Sequence, residues 1–344
     1  MDSERRLQRL YADDSGMSPV VGVALMIAIT VALAAVTVAM LLGVADPGIA
    51  PTQDTAVSLD STNAGTALVP EVTGSNDVDV RLNGESIATV DGNATGREIF
   101  LPTAPGDEVM LVTENEDATV LVREQFEAGE AGDFVAYYPF DDDGTELQDR
   151  SRNGNDGEFE GDSDPTWGED ENRTYREFDS GEEQSVNVSN LKTGTGDVEA
   201  FTVATTVRFD STDTGDIQQL VEHNNDAGEE WHVETTGTGG LQFAVDYEYN
   251  SPDSHHFTTD DNILEDGETH VIVGTYDGQT YRLYLDGEEV GNATHEMGVD
   301  MGRMRIAADD SDDGQHFDGR MYEFRLYYTA FDDHQVEMLT RVLE

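Results

Sequence analysis

The rhythm of apolar and polar positions changes along the chain. From Gly16 to Ala45 no residue is charged, and the apolar run predicts a helix. Val20 to Val44 would extend about 37 Å at 1.5 Å per residue, which spans a bilayer core with some tilt. Ser18 is placed to cap this helix, Pro19 suits its first turn, and Gly43 with Pro47 marks its end. Residues 46–55, DPGIAPTQDT, read as a linker. Over residues 56–126 the period shortens to two: AVSL, DVDVRLNG, SIATVDG, REIFLP, EVMLVTEN and TVLVREQF alternate between turn residues. This predicts a small antiparallel β-sandwich. Val78, Val80 and Leu82 would face one side, with Val109, Leu111, Val120 and Val122 supplying the opposing layer. Residues 127–132, EAGEAG, read as a short hinge.

From 133 to 344 the pattern is again strands and turns. FVAYYPFD, FTVATTVRFD, QQLVEH, LQFAVDYEY, THVIVGTYDG, TYRLYLDGEEV, MRIAAD and YEFRLYY each offer a face of aromatic and β-branched residues. So many strands close best as a two-sheet sandwich. YLDG is a strand entering a turn that needs Gly287, and FDGRMYEFRLY offers Met321, Phe324 and Leu326 to the core. The terminal TAFDDHQVEMLTRV is expected to start a helix at Asp332, with Val336, Leu339 and Val342 at helical spacing. The fold class is mainly β, with an apolar α-helix at the N-terminus and a short one at the C-terminus.

The segments VAYYPFDDDG and LQDRSRNGNDGEF, then YDGQTYRLYLDGEEV, then FDGRMYEFRLYYTAFDDHQVEML resemble the laminin-G-like, concanavalin-A-like jelly roll domains in family order. The resemblance implies such a domain over 133–344. It also implies a calcium ion at the sandwich edge, on Asp141, Asp143, Asp149, Asp318 and Glu323. Calcium takes six to eight oxygens, and acidic turns can supply them. Tyr322 stands where the family has a further acidic residue.

Charge changes the setting. Asp and Glu number 73 against 18 basic residues, for a net charge of -55, and there is no cysteine. Such a chain repels nucleic acid and anionic lipid. Acidic throughout, with arginine in place of lysine, the composition resembles that of extremely halophilic archaea, in which salt screens the repulsion.

Arg5, Arg6 and Arg9 precede the apolar helix and the next basic residue is Arg81, which puts the N-terminus in the cytoplasm and the bulk of the chain outside the cell. SPVVGVALMIAITVALAAV looks like the class III signal and hydrophobic helix of archaeal type IV pilins. That resemblance implies a leader, 1–16, cut between Gly16 and Met17 by a prepilin peptidase. The helix, 17–45, would first sit in the membrane and then pack against other pilin subunits. Ala24, Ala28, Ala32, Ala35 and Ala39 form one small stripe, which suits close helix packing. The 56–126 region is similar in place and pattern to the β head of haloarchaeal pilins.

The remaining chemistry is sparse. The eight histidines are scattered, without metal spacing. DDSDDG at 309–314 follows half an EF-hand loop, but Arg320 holds its twelfth place. No strand carries the closely spaced acids of sandwich glycosidases, and Glu230 and Glu234 in EWHVE stand about 13 Å apart along a strand. No enzyme is therefore expected. Asn93, Asn172, Asn187 and Asn292 stand in sequons expected on exposed turns or strand edges and are candidate glycosylation sites. Trp231, Tyr249 and His255, in or beside two polar loops, are candidates for meeting a sugar. The expected role is a cell-surface pilin-like adhesin for glycan or glycoprotein. The alternative is a membrane-anchored extracellular enzyme or processing factor acting on polysaccharide.

Overall fold

The computed structural model describes residues 56–72, 77–91, 94–113, 118–127, 131–170, 173–191, 199–224, 230–245, 255–296, 302–309 and 315–344. The leader with Gly16 and Met17, the apolar helix and the linker lie outside the described residues. Among those described, no helix is long and apolar enough to cross a membrane. Thr55–Glu344 forms one compact unit.

Its N-terminal part holds β1 (Ala56–Thr62), β2 (Gly65–Val72), β3 (Val78–Leu82), β4 (Glu85–Val90), β5 (Ile99–Leu101), β6 (Glu108–Thr113) and β7 (Val120–Gln125). They pair as a three-stranded sheet, β1-β2-β5, and a four-stranded sheet, β4-β3-β6-β7. Val78, Val80 and Leu82 are buried as expected. Val109 and Leu111 do not oppose them, because β6 pairs with β3: Val109 lies beside Leu82 and Leu111 beside Val80 in one sheet. Val120 is 52 % exposed, on edge strand β7.

The sandwich follows. It holds β8 (Phe134–Tyr138), β9 (Glu146–Leu147), β10 (Gly157–Glu160), β11 (Thr166–Asp170), β12 (Arg173–Phe178), β13 (Ser185–Val188), β14 (Phe201–Phe209) and β15 (Gln219–Asn224). It continues with β16 (Trp231–Thr235), β17 (Leu241–Val245), β18 (His255–Thr258), β19 (Thr269–Tyr276), β20 (Thr280–Leu285), β21 (Glu288–Thr294), β22 (Arg303–Ile306) and β23 (Gly319–Tyr327). Sheet 1 runs β18-β17-β16-β15-β22-β13-β10-β9; sheet 2 runs β11-β12-β23-β14-β19-β20-β21, with β8 also on β23. Their inner faces meet in one apolar core that includes Phe201, Phe243, Trp231, Ile306 and Leu326.

Two local devices set the registers. Asp286 and Gly287 both have positive φ, 50° and 83°, and join β20 to β21 in a two-residue turn that Gly favours. In β23 the pairing slips so that Thr206 faces Glu323 and Val207 faces Met321, which leaves Tyr322 as the extra residue of a bulge. The bulge lets Met321 and Phe324, three apart, both enter the core together with Leu326.

Sheet 2 is covered on its outer face as well. Ala204, Val271, Val273, Tyr284 and Tyr327 share a second apolar cluster with Leu68, Phe100 and Leu101 of the N-terminal part. Between them lies α1 (Asp333–Leu343), which contributes Val336, Met338, Leu339 and Leu343. Asp332 caps α1 by accepting from Gln335 N, and the Gln335 side chain accepts from Asp332 N, a reciprocal capping box. At the other end the guanidinium of Arg173 donates to the carbonyls of Leu343 and Glu344. The expected hinge at 127–132 is not a loose joint at its described end. Ala131 and Gly132 are buried, and Asp133 N donates to Asn63 O.

Candidate functional site

Strand alternation sorts the side chains of sheet 1. Val186, Val221, Trp231, Val233, Phe243, Met304 and Ile306 point into the core, so their neighbours point outward. The registers align these neighbours in one row across the sheet: Glu158, Asn187, Arg305, Glu222, His232, Ala244 and His256. A second row places Glu234 beside Gln242 and Gln242 beside Thr258. The ends of the first row, Glu158 and His256, are exposed. Its centre is not: Glu222 is 7 % and His232 3 % exposed, with Glu234 at 6 % beside them.

The polar groups hold one another in place. Glu160 accepts from Arg305 Nη2 at 2.8 Å and from Asn187 Nδ2 at 2.9 Å. Glu234 accepts from Gln242 Nε2 at 2.6 Å. The His232 ring lies 3.7 Å from Glu230 and 3.6 Å from Glu234. Burial alone would pull its pKa down, but these two carboxylates raise it from the ordinary 6.5 to about 9. The outward face thus carries a buried imidazolium among carboxylates, with a guanidinium and two amides nearby. Glu222 lies opposite His232 on the neighbouring strand, so Glu222 and Glu234 are diagonal neighbours, with backbones about 7–8 Å apart. Sequence reading along single strands misses this pair, because pairing register and not local spacing creates it.

The residues expected to meet a ligand fall elsewhere. Trp231 is fully buried, stacked on Phe201 at 4.5 Å and on His223 at 5.5 Å. It is a core residue, since it shares the inward register of Val245. His255 is half-buried on β18, its ring stacked on His295 with centroids 3.6 Å apart. Tyr249 lies outside the described residues, as do most of the two loops. Of the sequons, Asn93 and Asn172 also lie outside them. Asn292 is exposed on edge strand β21, its amide donating to Glu289. Asn187 is not on a turn or edge: it lies in β13, between β10 and β22, with its amide on Glu160.

The five carboxylates expected on calcium are not brought together, and each with a described partner is engaged by protein donors. Asp141 accepts from Arg150 at 2.8 Å. Asp149 accepts from Tyr137 N, Ser151 N, Ser151 Oγ and Asn155 N, so it ties the loop after β9 to β8. Asp318 accepts from Ser180 N, Asp143 is exposed, and Glu323 pairs with buried Arg325. No group of three or more His, Asp or Glu side chains that could hold a metal occurs among the described residues. These side chains do not fit a shared calcium ion. Of DDSDDG, residues 310–314 lie outside the described residues, and Arg320 is paired with Asp170 and Glu177.

Residues 180–337 match the sequence model of the concanavalin A-like lectin/glucanases superfamily. They form a concanavalin A-like jelly roll. Strands β8 to β12 precede the matched stretch, yet they belong to the same two jelly roll sheets. No curated protein matches the sequence. Among solved structures, domain 4 of AbnA, a GH43 extracellular arabinanase from Geobacillus stearothermophilus in complex with arabinotriose, is 15 % identical. The match covers 60 % of this chain and 98 % of that one, with a TM-score of 0.49. The binding domain of botulinum neurotoxin DC in complex with rat synaptotagmin II is 11 % identical, covering 62 % and 52 % with a TM-score of 0.49. The binding domain of botulinum neurotoxin serotype G is 13 % identical, covering 61 % and 51 % with a TM-score of 0.46. The chain thus spans about half the length of the toxin binding domains that it matches.

Proposed function

We propose that the jelly roll binds a glycan, or the glycan of a glycoprotein, on the outward face of sheet 1, without turning it over. The observation that carries this reading is the accessible part of the cross-strand row, exposed Glu158 and His256 with half-buried Asn187 and Arg305 fixed by Glu160, set around a buried polar centre at Glu222 and His232. Sugar hydroxyls both donate and accept, so they suit a surface that mixes carboxylate, amide, guanidinium and imidazolium. Nucleic acid is opposed by a net charge of -55. The family model, by its own description, spans lectins and glucanases.

One observation favours a second reading, hydrolysis: Glu222 and Glu234 share this face at a backbone separation of about 7–8 Å, within reach of the carboxylate spacing that glycosidases use. Incubating the full chain with surface polysaccharides separates the two. Saturable retention without new reducing ends is expected, and Arg305→Ala or Glu222→Gln should weaken retention about tenfold. Reducing ends that disappear in Glu222→Gln would establish the hydrolase instead.

The apolar segment 17–45 and its likeness to pilins support surface display, with the described domains outside the cell. In that reading material from sheared cell surfaces begins at Met17. An intact Met1 there would leave a plain membrane anchor.

A further inference from the structure

The turn Asp141–Gly144, which the family resemblance assigns to calcium, already surrounds a cation of the chain's own. Arg176 projects from β12 and is 3 % exposed. Its Nη2 donates to the carbonyl oxygens of Asp142 at 2.8 Å and Gly144 at 2.6 Å, and its Nη1 donates to Pro165 O at 3.0 Å. The Asp142 carboxylate lies 3.8 Å from the same guanidinium. The other face of the guanidinium is closed by the Phe159 ring, 4.8 Å away. Asp142 Oδ1 also accepts from Gly144 N, which closes the turn on itself. A second guanidinium, that of Arg150, reaches Asp141 at 2.8 Å and Asp142 at 3.5 Å.

We infer that Arg176, seconded by Arg150, is the structural cation of this acidic turn, doing for its carbonyls and carboxylates what a bound calcium ion would do. A hard divalent ion needs six to eight oxygens drawn to 2.3–2.6 Å, as a generalisation about such sites. Here two backbone carbonyls of the turn already accept from Arg176 and two of its carboxylates from Arg150, both planar, permanently charged groups. To admit calcium, the chain would have to evict a buried guanidinium and leave it beside a second cation. A covalently attached cation also cannot dissociate, so the turn keeps its shape whatever the divalent concentration.

The test is thermal unfolding of the full chain at constant ionic strength in excess chelator, in calcium and in magnesium. The three midpoints are expected to agree within about 1 °C, since no native-state site gains the ion. Arg176→Ala is expected to lower the midpoint by about 5 °C, and Arg176→Lys to recover only part, because one ammonium cannot span three carbonyls. A calcium-specific rise in the wild type, not given by magnesium and removed by Asp142→Asn, would overturn the assignment. So would an Arg176→Ala protein that melts with the wild type. If Arg176→Ala does not fold, the calcium and magnesium comparison on the wild type decides.

Discussion

Replacing Arg325 with alanine is expected to destabilise the 55–344 unit by about 3–5 kcal/mol, the cost of leaving one partner of a buried ion pair behind. Arg325 is 2 % exposed on β23, on the outer side of sheet 2. Its guanidinium meets Glu323, donates to Pro102 O at 3.0 Å and to the Tyr327 hydroxyl at 3.2 Å, and lies 5.4 Å from the Tyr137 ring. Burial would favour its neutral form, but the Glu323 carboxylate outweighs that and holds it charged. Because Pro102 belongs to the N-terminal β part, this one side chain also fastens that part to the sandwich. Urea unfolding of Arg325→Ala should therefore show the loss in midpoint, together with earlier exposure of the 56–126 region. The double variant Arg325→Met, Glu323→Gln should regain much of the loss, since no charge is then stranded. A loss below about 1 kcal/mol in Arg325→Ala would place the pair in water-like surroundings instead.

Stability should also crest near pH 6.5 and fall on both sides, through two buried histidines shifted in opposite directions. Burial among Trp231 and its neighbours lowers His223 from 6.5 to about 4. Its neutral ring accepts from Gly302 N at 2.8 Å. A lowered folded pKa contributes stability that is complete above 6.5 and is lost as pH falls through 4. His232, raised to about 9 against burial by Glu230 and Glu234, behaves in reverse. Its contribution is complete below 6.5 and is lost as pH climbs through 9. Each shift is worth on the order of 3 kcal/mol. Carboxylates add to the acid side, so the histidine share is read from variants. His232→Gln should flatten the profile between 6.5 and 9, and His223→Gln should remove part of the slope between 4 and 6.5. An unchanged alkaline slope in His232→Gln would show that the imidazolium is not paired in solution.

Much of the architecture is legible in the sequence, because strand alternation and turn chemistry are local. The Asp286–Gly287 turn, the Asp332 cap and the inward trio Met321, Phe324 and Leu326 all follow from a few adjacent residues. What pairing and packing decide is less visible. FTVATTVRF reads as one apolar and one polar face, yet β14 is buried on both, because Thr202, Ala204 and Thr206 lie under the second cluster or bond across it. Glu323 reads as part of an acidic rim, but the residue two places on, Arg325, takes it into a buried pair. Trp231 borders a polar loop in sequence and faces the core in space, whereas its neighbour His232 lies on the candidate face. That face depends on the order β17-β16-β15-β22-β13, in which β22 enters from far along the chain.

The covering of sheet 2 bears on how strongly such a molecule could hold a polymer. With α1 and the N-terminal strands packed over that sheet, its outer face is closed to a ligand. In the proposed reading, each chain would grip a glycan through sheet 1 alone. Firm attachment to a repeating glycan would then come from arraying many copies, where effective concentration multiplies a modest single-site affinity, and grip would scale with the number of chains displayed.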